Sequence, residues 1–350
     1  MSSSHRTAFQ PTSVHSKNKP ADFHAIRVDS EHAGERLDRF LAGAIPVLSR
    51  SRMQDLIDRG RVTVDGVACK RSHRVSAGES VQVEMLPPPA ASVKPEPIPV
   101  EILYQDEDVA VVNKPAGIIV HPGAGAKTGT LVSALLNLFG GSAGLSSIGG
   151  ALRAGIVHRL DKGTSGALVI ALNDAAHKNL VEQFSRRQVR KTYVALLHGR
   201  IKGDSGTIEM PIARDLRRRS RMTARRREGR PARTEWRVLA RMDGFELVEA
   251  NLHTGRTHQL RVHFSALGCP VVGDTLYGAP RQERAGAETL PDLGRNFLHA
   301  ARICFSQPRT GERIDVRAPL PPALRAYIAA LAHALESDPA AIDAALRPFL

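Results

Sequence analysis

The densest chemistry in the chain lies in Gly155-Ile-Val-His158-Arg159-Leu-Asp161-Lys162-Gly-Thr164-Ser165-Gly166, which runs on into the apolar Ala167–Ala171. One carboxylate, Asp161, stands among an imidazole, a guanidinium and an ammonium, between apolar runs of strand character. Charges held in such a place are costly unless they pair with each other or with a ligand. The stretch alone therefore allows a structural ion-pair turn or a catalytic carboxylate on a loop between rigid strands. Two further stretches carry polar groups in patterns of their own. Lys191-Thr192-Tyr193 falls on a predicted strand, where a lone tyrosine is more often core or surface. Thr254-Gly255-Arg256-Thr257-His258-Gln259-Leu260-Arg261-Val262-His263 reads as a turn entering a helix, a terminus that suits a phosphate. On that helix Leu260 and Phe264 make an apolar i, i+4 pair, leaving His258 and Arg261 on a neighbouring face. His258 and His263 are off the spacing that aligns two metal ligands on one helical face, which argues against a zinc site.

The elements that must hold these residues are mostly strands. Runs of strand character cover Glu101–Tyr104, Val109–Asn113, Ile118–His121, Arg190–Leu197, Thr234–Ala240, Phe245–Leu252, Leu298–Phe305 and Arg313–Arg317. Helical pieces at Leu131–Phe139 and Ala175–Arg187 interrupt them without a regular βαβ alternation. This pattern predicts an α+β domain built on a mainly antiparallel sheet, over residues 100–320. The tail, residues 321–350, has helical spacing over Pro322–Glu336 and is expected to pack outside.

Ahead of this domain the pattern differs. Residues 1–23 are polar and read as a disordered tail. Leu37, Phe40 and Leu41 predict one amphipathic helix, and Met53, Leu56 and Ile57 a second, with Ser49 as N-cap and Gly60 past its end. Val62–Val64, Asp65-Gly66 and Val67-Ala68 predict a tight hairpin, and Val81–Val83 a further strand. Residues 24–85 thus form a small α+β unit with Arg50, Arg52 and Arg59 on its second helix. Residues 86–99 contain six prolines and predict an extended linker.

At 350 residues the chain suits two domains, and its charge balance points to a partner. With 49 Lys+Arg against 35 Asp+Glu it carries +14, which favours a polyanion. No run approaches the roughly 20 apolar residues of a membrane span, and the N-terminus lacks a secretory core. Cys69, Cys269 and Cys304 form no CxxC pair and fit a reducing compartment, so a cytoplasmic location without membrane partners is expected.

Taken together, in this order, the three stretches resemble the RluA-type family of pseudouridine synthases, from about residue 25 to about residue 330. The carriers are His158-Arg-Leu-Asp-Lys with Thr-Ser-Gly, Lys191-Thr-Tyr, and Thr254-Gly-Arg-Thr-His-Gln-Leu-Arg-Val-His. Supporting matches are Asn113-Lys-Pro, Val120-His-Pro-Gly-Ala-Gly125, Val272-Gly-Asp-x-x-Tyr-Gly278 and Leu298-His-Ala300. The N-terminal unit, through Glu35–Leu41, Ser49–Arg52 and Gly60–Gly66, resembles the alpha-L RNA-binding module. The resemblance implies the pseudouridine synthase fold and isomerisation of uridine to pseudouridine, with neither cofactor nor metal. It implies that Asp161 is the catalytic carboxylate used in breaking the C1′–N1 bond. It further implies that Arg159 takes the place of the flipped nucleotide, that Tyr193 stacks on the uracil, and that Arg261 pairs with Asp161. The implied partner is ribosomal RNA of the large subunit or its assembly intermediate, and a monomer is expected. Its alternatives are a synthase acting on transfer RNA and a non-catalytic ribosome-assembly factor. The factor is disfavoured because binding phosphates needs no carboxylate. Arg214–Arg233 holds ten arginines against two acids. Its default is a solvated loop, and the alternative is that Arg217, Arg218 and Arg219 grip phosphates beside the flipped base.

Overall fold

A computed structural model describes residues 22–45, 50–85, 93–123, 127–218, 220–224, 228–282, 284–285 and 288–350. The chain divides into two compact units, up to Ala90 and from Ala91.

The smaller unit is built from β1 (Asp22–Arg27), α1 (Leu37–Ala44), α2 (Arg50–Asp58), β2 (Val62–Val64), β3 (Val67–Ala68) and β4 (Ser80–Met85). Its sheet runs β1-β4-β2-β3. Leu37, Phe40 and Leu41 of α1 meet Met53, Leu56 and Ile57 of α2 over Val62, Val81 and Val83, so the apolar spacing closes one core. Asp65 and Gly66 both take positive φ (48° and 82°), the geometry that a two-residue hairpin matching strand twist demands. β1 was not foreseen: it pairs with β4 along its whole length, from Asp22–Met85 to Arg27–Ser80. Several arginines here are spent on local ion pairs, Arg36 with Asp38, Arg39 with Glu35, Arg61 with Glu84 and Arg71 with Asp58. The side chains of Arg50 and Arg52, and Ser49 as a cap, lie outside the described residues.

The larger unit begins with β5 (Glu101–Gln105), β6 (Val109–Lys114), α3 (Leu131–Leu138), β7 (Ser165–Ala171), α4 (Asp174–Ser185) and β8 (Arg190–His198). It continues with β9 (Ser205–Glu209), the small hairpin β10 (Ala213–Arg214) and β11 (Met222–Thr223), β12 (Arg233–Met242), β13 (Phe245–Leu252) and α5 (Gln259–Ala266). A second small hairpin, β14 (Arg284–Ala285) and β15 (Glu288–Thr289), precedes β16 (Leu298–Ser306), β17 (Arg313–Arg317), α6 (Pro322–Ala334) and α7 (Pro339–Leu346). The nine-stranded sheet runs β5-β6-β7-β16-β8-β13-β12-β9, with β17 also paired to β16. Each of these pairings is antiparallel except β16 with β7, which run parallel through His299–Ser165 and Ala300–Gly166. The expected mainly antiparallel α+β architecture is what the chain adopts.

Strand alternation divides two faces. Leu168 and Ile170 of β7 pack with Tyr193 and Ala195 of β8 beneath α3 and α5. Ala167, Val169 and Ala171 turn the other way, to Ala176 and Leu180 of α4. On that second side Val194 and Leu196 meet Leu324, Ile328 and Leu331 of α6. Burial on both faces explains why β7 is buried along its whole length and, after Ser165, carries no polar side chain rather than alternating.

Two expectations need correction. Ile118–His121 is not a strand; it makes a single bridge, Ile119 to Thr130, because the Ile118 carbonyl accepts from a buried lysine described below and the Ile119 and Val120 carbonyls accept the Leu131 and Val132 N–H groups that open α3. Part of the proline-rich stretch is not a free linker, since Val93 is buried and the Glu96 carboxylate accepts the Gly129 N–H.

Candidate active site

Asp161, Tyr193 and Arg261 line one cavity of about 740 Å³ in the larger unit. Asp161 sits in a tight turn just before β7, closed by the Thr164 N–H donating to the Asp161 carbonyl at 3.1 Å. This turn is braced from behind. Lys114, at 0% exposure, donates Nζ–H to the carbonyls of Pro115 (2.8 Å), Ile118 (2.9 Å) and Lys162 (3.4 Å). Burial pulls its ammonium down to about 7, with Arg295 adding to the shift and Asp161 opposing it. At the start of β7, Ser165 Oγ accepts from Arg295 Nη2 at 3.0 Å and lies 2.8 Å from His299 Nδ1. His299 Nε2 must donate to the Ala318 carbonyl (3.0 Å), so its Nδ1 accepts the Ser165 hydroxyl proton. Burial lowers this imidazole to about 4, which keeps it neutral and the network closed.

Arg261 arrives from α5, and two of its three nitrogens are already committed. Nε and Nη2 donate to Asp274 Oδ2 (2.6 Å) and Oδ1 (2.9 Å), a bidentate fork, while Nη1 donates to Asp161 Oδ2 at 3.1 Å. The guanidinium also lies 4.9 Å from the centre of the Tyr277 ring. Burial acts against this charge, but Asp274 first and Asp161 second outweigh it and raise the guanidinium above its ordinary value. The fork fixes the plane of the donor before it meets Asp161. Asp161 is 18% exposed at its side chain and Arg261 12%, so the pair is shielded yet reachable.

The other oxygen of Asp161 is differently placed. The nearest ring nitrogen to Oδ1 is His258 Nε2, at 4.0 Å. His258 has a left-handed backbone (φ 57°) and stands before α5 rather than on it, which corrects the expectation that it shares a helical face with Arg261. Its Nδ1 lies 2.7 Å from the Tyr277 hydroxyl, which itself accepts the Met222 N–H at 2.9 Å. With every group satisfied, Tyr277 donates to Nδ1 and the His258 proton sits on Nε2, facing Asp161. Among the described residues nothing donates a hydrogen bond to Oδ1, so one carboxylate oxygen is anchored and the other is open to the cavity.

The turn leading to α5 is held by Gln259. Its Oε1 accepts from Thr254 Oγ1 (2.7 Å) and the Arg256 N–H (3.1 Å), and its Nε2 donates to the Arg233 carbonyl (2.9 Å). Tyr193, on β8, is 5% exposed with its ring in the cavity, and burial pushes its phenol well above the ordinary range. An uncharged, fixed aromatic at that place offers a stacking surface.

Of the three potentially cationic neighbours of Asp161 in sequence, His158, Arg159 and Lys162, His158 is a structural group. Its Nε2 accepts the Val169 N–H at 3.0 Å, its ring packs 4.7 Å from Phe184, and burial takes its imidazole down to about 3. Arg159 is exposed on the cavity lining and makes no ion pair among the described residues. Arg217 and Arg218 are exposed, their N–H groups bound to Asp215 Oδ1, whereas Arg219 lies outside the described residues. Sequence reasoning gave no role to Lys114, Asp274, Tyr277 or Arg295. Three of them fall in or beside short stretches noted only as matches, Asn113-Lys-Pro and Val272-Gly-Asp-x-x-Tyr-Gly278.

The chain is similar to known proteins over most of its length. Residues 108–266 match the family model described as RNA pseudouridylate synthase, and residues 35–81 match the S4 domain. An uncharacterized RNA pseudouridine synthase, YlyB, of Bacillus subtilis is 44% identical over 296 residues, covering 85% of this chain and 94% of its own. The ribosomal large subunit pseudouridine synthase D of Xanthomonas campestris is 41% identical over 309 residues, covering 87% and 91%. Among solved structures, human RNA pseudouridylate synthase domain containing 1 is similar with a TM-score of 0.51 and 33% identity, over 73% of this chain and 99% of that one.

Proposed function

The chain belongs to the RNA pseudouridine synthase family, of RluA type, and from that premise we propose that it modifies uridines of large-subunit ribosomal RNA, with Asp161 as its catalytic carboxylate. The observation that carries the assignment of Asp161 is its asymmetric anchoring. Arg261 holds Oδ2 at 3.1 Å while Oδ1 faces the cavity without a donor among the described residues.

The chemistry follows from that arrangement. A uracil inside folded RNA does not reach a carboxylate in a cavity, so its nucleotide must leave the stack at a cost of a few kcal/mol. Arg159, exposed on the cavity lining and in no ion pair among the described residues, supplies a planar cation to fill the vacated place. Tyr193 supplies the stacking surface for the uracil, worth about 1–3 kcal/mol. Asp161 then serves cleavage of the C1′–N1 bond. The base turns, a C1′–C5 bond forms, the C5 proton leaves and N1 gains a proton, so the product is an isomer of the substrate. Arg261 aims the carboxylate, its Nη1 donating to Oδ2 at 3.1 Å. The large-subunit target is supported by the names carried by relatives such as that of Xanthomonas campestris.

Pseudouridine mapping of total RNA from cells with and without the gene, complemented by wild type or by Asp161→Asn, tests both parts. The sites lost without the gene should lie in large-subunit ribosomal RNA and return with wild type only. Sites in transfer RNA would overturn the target, and restoration by the Asn variant would overturn the role of Asp161.

A further inference from the structure

The cavity holds one acid, Asp161, and four cations that do not pair with it among the described residues. Lys191, Arg187, Arg230 and Arg256 all line it, and among the described residues none of them makes an ion pair. They come from separate parts of the chain: the loop after α4, the first turn of β8, the strand-like edge at Ile212–Arg230, and the turn before α5. Arg256 is the fixed member, with Nε donating to the Pro231 carbonyl at 3.1 Å and its N–H to Gln259 Oε1 at 3.1 Å. Arg187 is held by a left-handed backbone (φ 60°), a conformation that a non-glycine residue adopts against a cost. Lys191 is half-buried, its ammonium 5.6 Å from the Phe184 ring centre and about 4.0 Å from where a Cβ on Gly255 would stand. Gly255 therefore leaves room between Lys191 and the Arg256 turn.

Gathering like charges without a counter-ion is unfavourable. Burial, then Arg230 and Arg187, pull the Arg256 guanidinium below its ordinary value, and burial brings Lys191 down to about 8. An anion brought to this place relieves both effects. Asp161 is already matched by Arg261 across the cavity, so the four cations are surplus to the catalytic carboxylate's own pairing.

We propose that Lys191, Arg187, Arg230 and Arg256 form a phosphate subsite that takes a backbone phosphodiester flanking the uridine seated against Tyr193. This rests on the reading of the cavity as the uridine site. Its partner chemistry is a doubly bridged phosphate of RNA, whose two free oxygens suit guanidinium forks. Closing on that phosphate holds the RNA strand in the cavity, a contact made equally in the ground and transition states, and Arg217 and Arg218 are not needed for it.

The test uses the full chain and, as probe, RNA extracted from cells lacking the gene, which holds the substrate whichever RNA that is. Initial rates of pseudouridine formation are followed against RNA concentration and salt for wild type, the Arg187→Gln, Arg256→Gln double variant, and the matching double Lys variant. The Gln pair should raise KM on the order of tenfold, leave kcat within about twofold, and flatten the log–log salt slope by about one unit. The Lys pair, which keeps the charges, should recover most of the lost affinity. An unchanged KM and salt slope, a loss confined to kcat, or failure of the Lys pair to recover would each overturn the subsite. Where the modified sites lie, in ribosomal or transfer RNA, bears on the target alone and leaves this comparison standing.

Discussion

At the residue scale the active site is a problem of directing one guanidinium. Arg261 faces two carboxylates, and it is Asp274 that takes two of its nitrogens and leaves one for Asp161. Asp274 does not touch the cavity; it acts through Arg261 as a positioning residue. Replacing it by Asn keeps the shape but halves the fork, so the donor plane is free to turn. Because misplacement by about 1 Å costs on the order of 100-fold in rate, Asp274→Asn should lower kcat by roughly that factor while KM stays within a few-fold. Single-turnover kinetics at saturating RNA measures this, and an unchanged kcat would show that Arg261 needs no such support. Asp161, Tyr193 and Arg261 were legible in the sequence because each lies in a motif whose residue types carry chemistry. Asp274 and Tyr277 were not. Their work is done on other side chains, from a short loop whose spacing gives no periodic signal, so only the fold places them against Arg261 and His258.

At the element scale, strand positions followed from apolar alternation and the elements that failed to follow it show why. β9 was missed because Ser205–Glu209 has one buried apolar residue, Ile208, and owes its pairing to β12. Ile118–His121 reads as a strand from its apolar run, but in this loop the Ile118 carbonyl accepts from Lys114 and the Ile119 and Val120 carbonyls from the first N–H groups of α3, so it makes one bridge instead of a ladder. That lysine joins the loop to the turn of Asp161, and its depressed ammonium gives a measurable signature. Folded Lys114 loses its proton near 7 while the unfolded side chain keeps it to about 10.4. Between those values the unfolded state binds more protons, so this group's contribution to stability rises with pH and is lost as pH falls through 7. Comparing wild type with Lys114→Met by denaturant unfolding isolates the effect. The stability gap should widen in favour of wild type from pH 7 to pH 10, by at most about 1.4 kcal/mol per pH unit. A gap that stays level would mean that the buried amine keeps its proton throughout. The parallel pairing of β16 with β7 also escaped sequence reading. Nothing local marks it except Gly166, whose φ of 115° and approach to the Ala300 carbonyl leave no space for a side chain.

At the scale of the whole molecule, two units with separate apolar cores share one strongly basic chain. Leu41, at 0% exposure, belongs to the small core alone. Leu41→Ala should cost about 2–5 kcal/mol of that core, lowering one thermal transition while the transition of the catalytic unit stays where it was. Calorimetry of the full chain decides it: movement of both transitions together would mean that the units unfold as one. The catalytic sheet has a different kind of dependence built into its strand order. Without β16, the row β5-β6-β7-β16-β8-β13-β12-β9 falls into two pieces. Asp161 stands at the head of one piece and Arg261 follows the other, and the strand that stitches them begins only at Leu298. During synthesis, therefore, both members of the pair leave the ribosome well before the segment that joins their sheets. A nascent chain has no assembled site until β16 has emerged and threaded between β7 and β8.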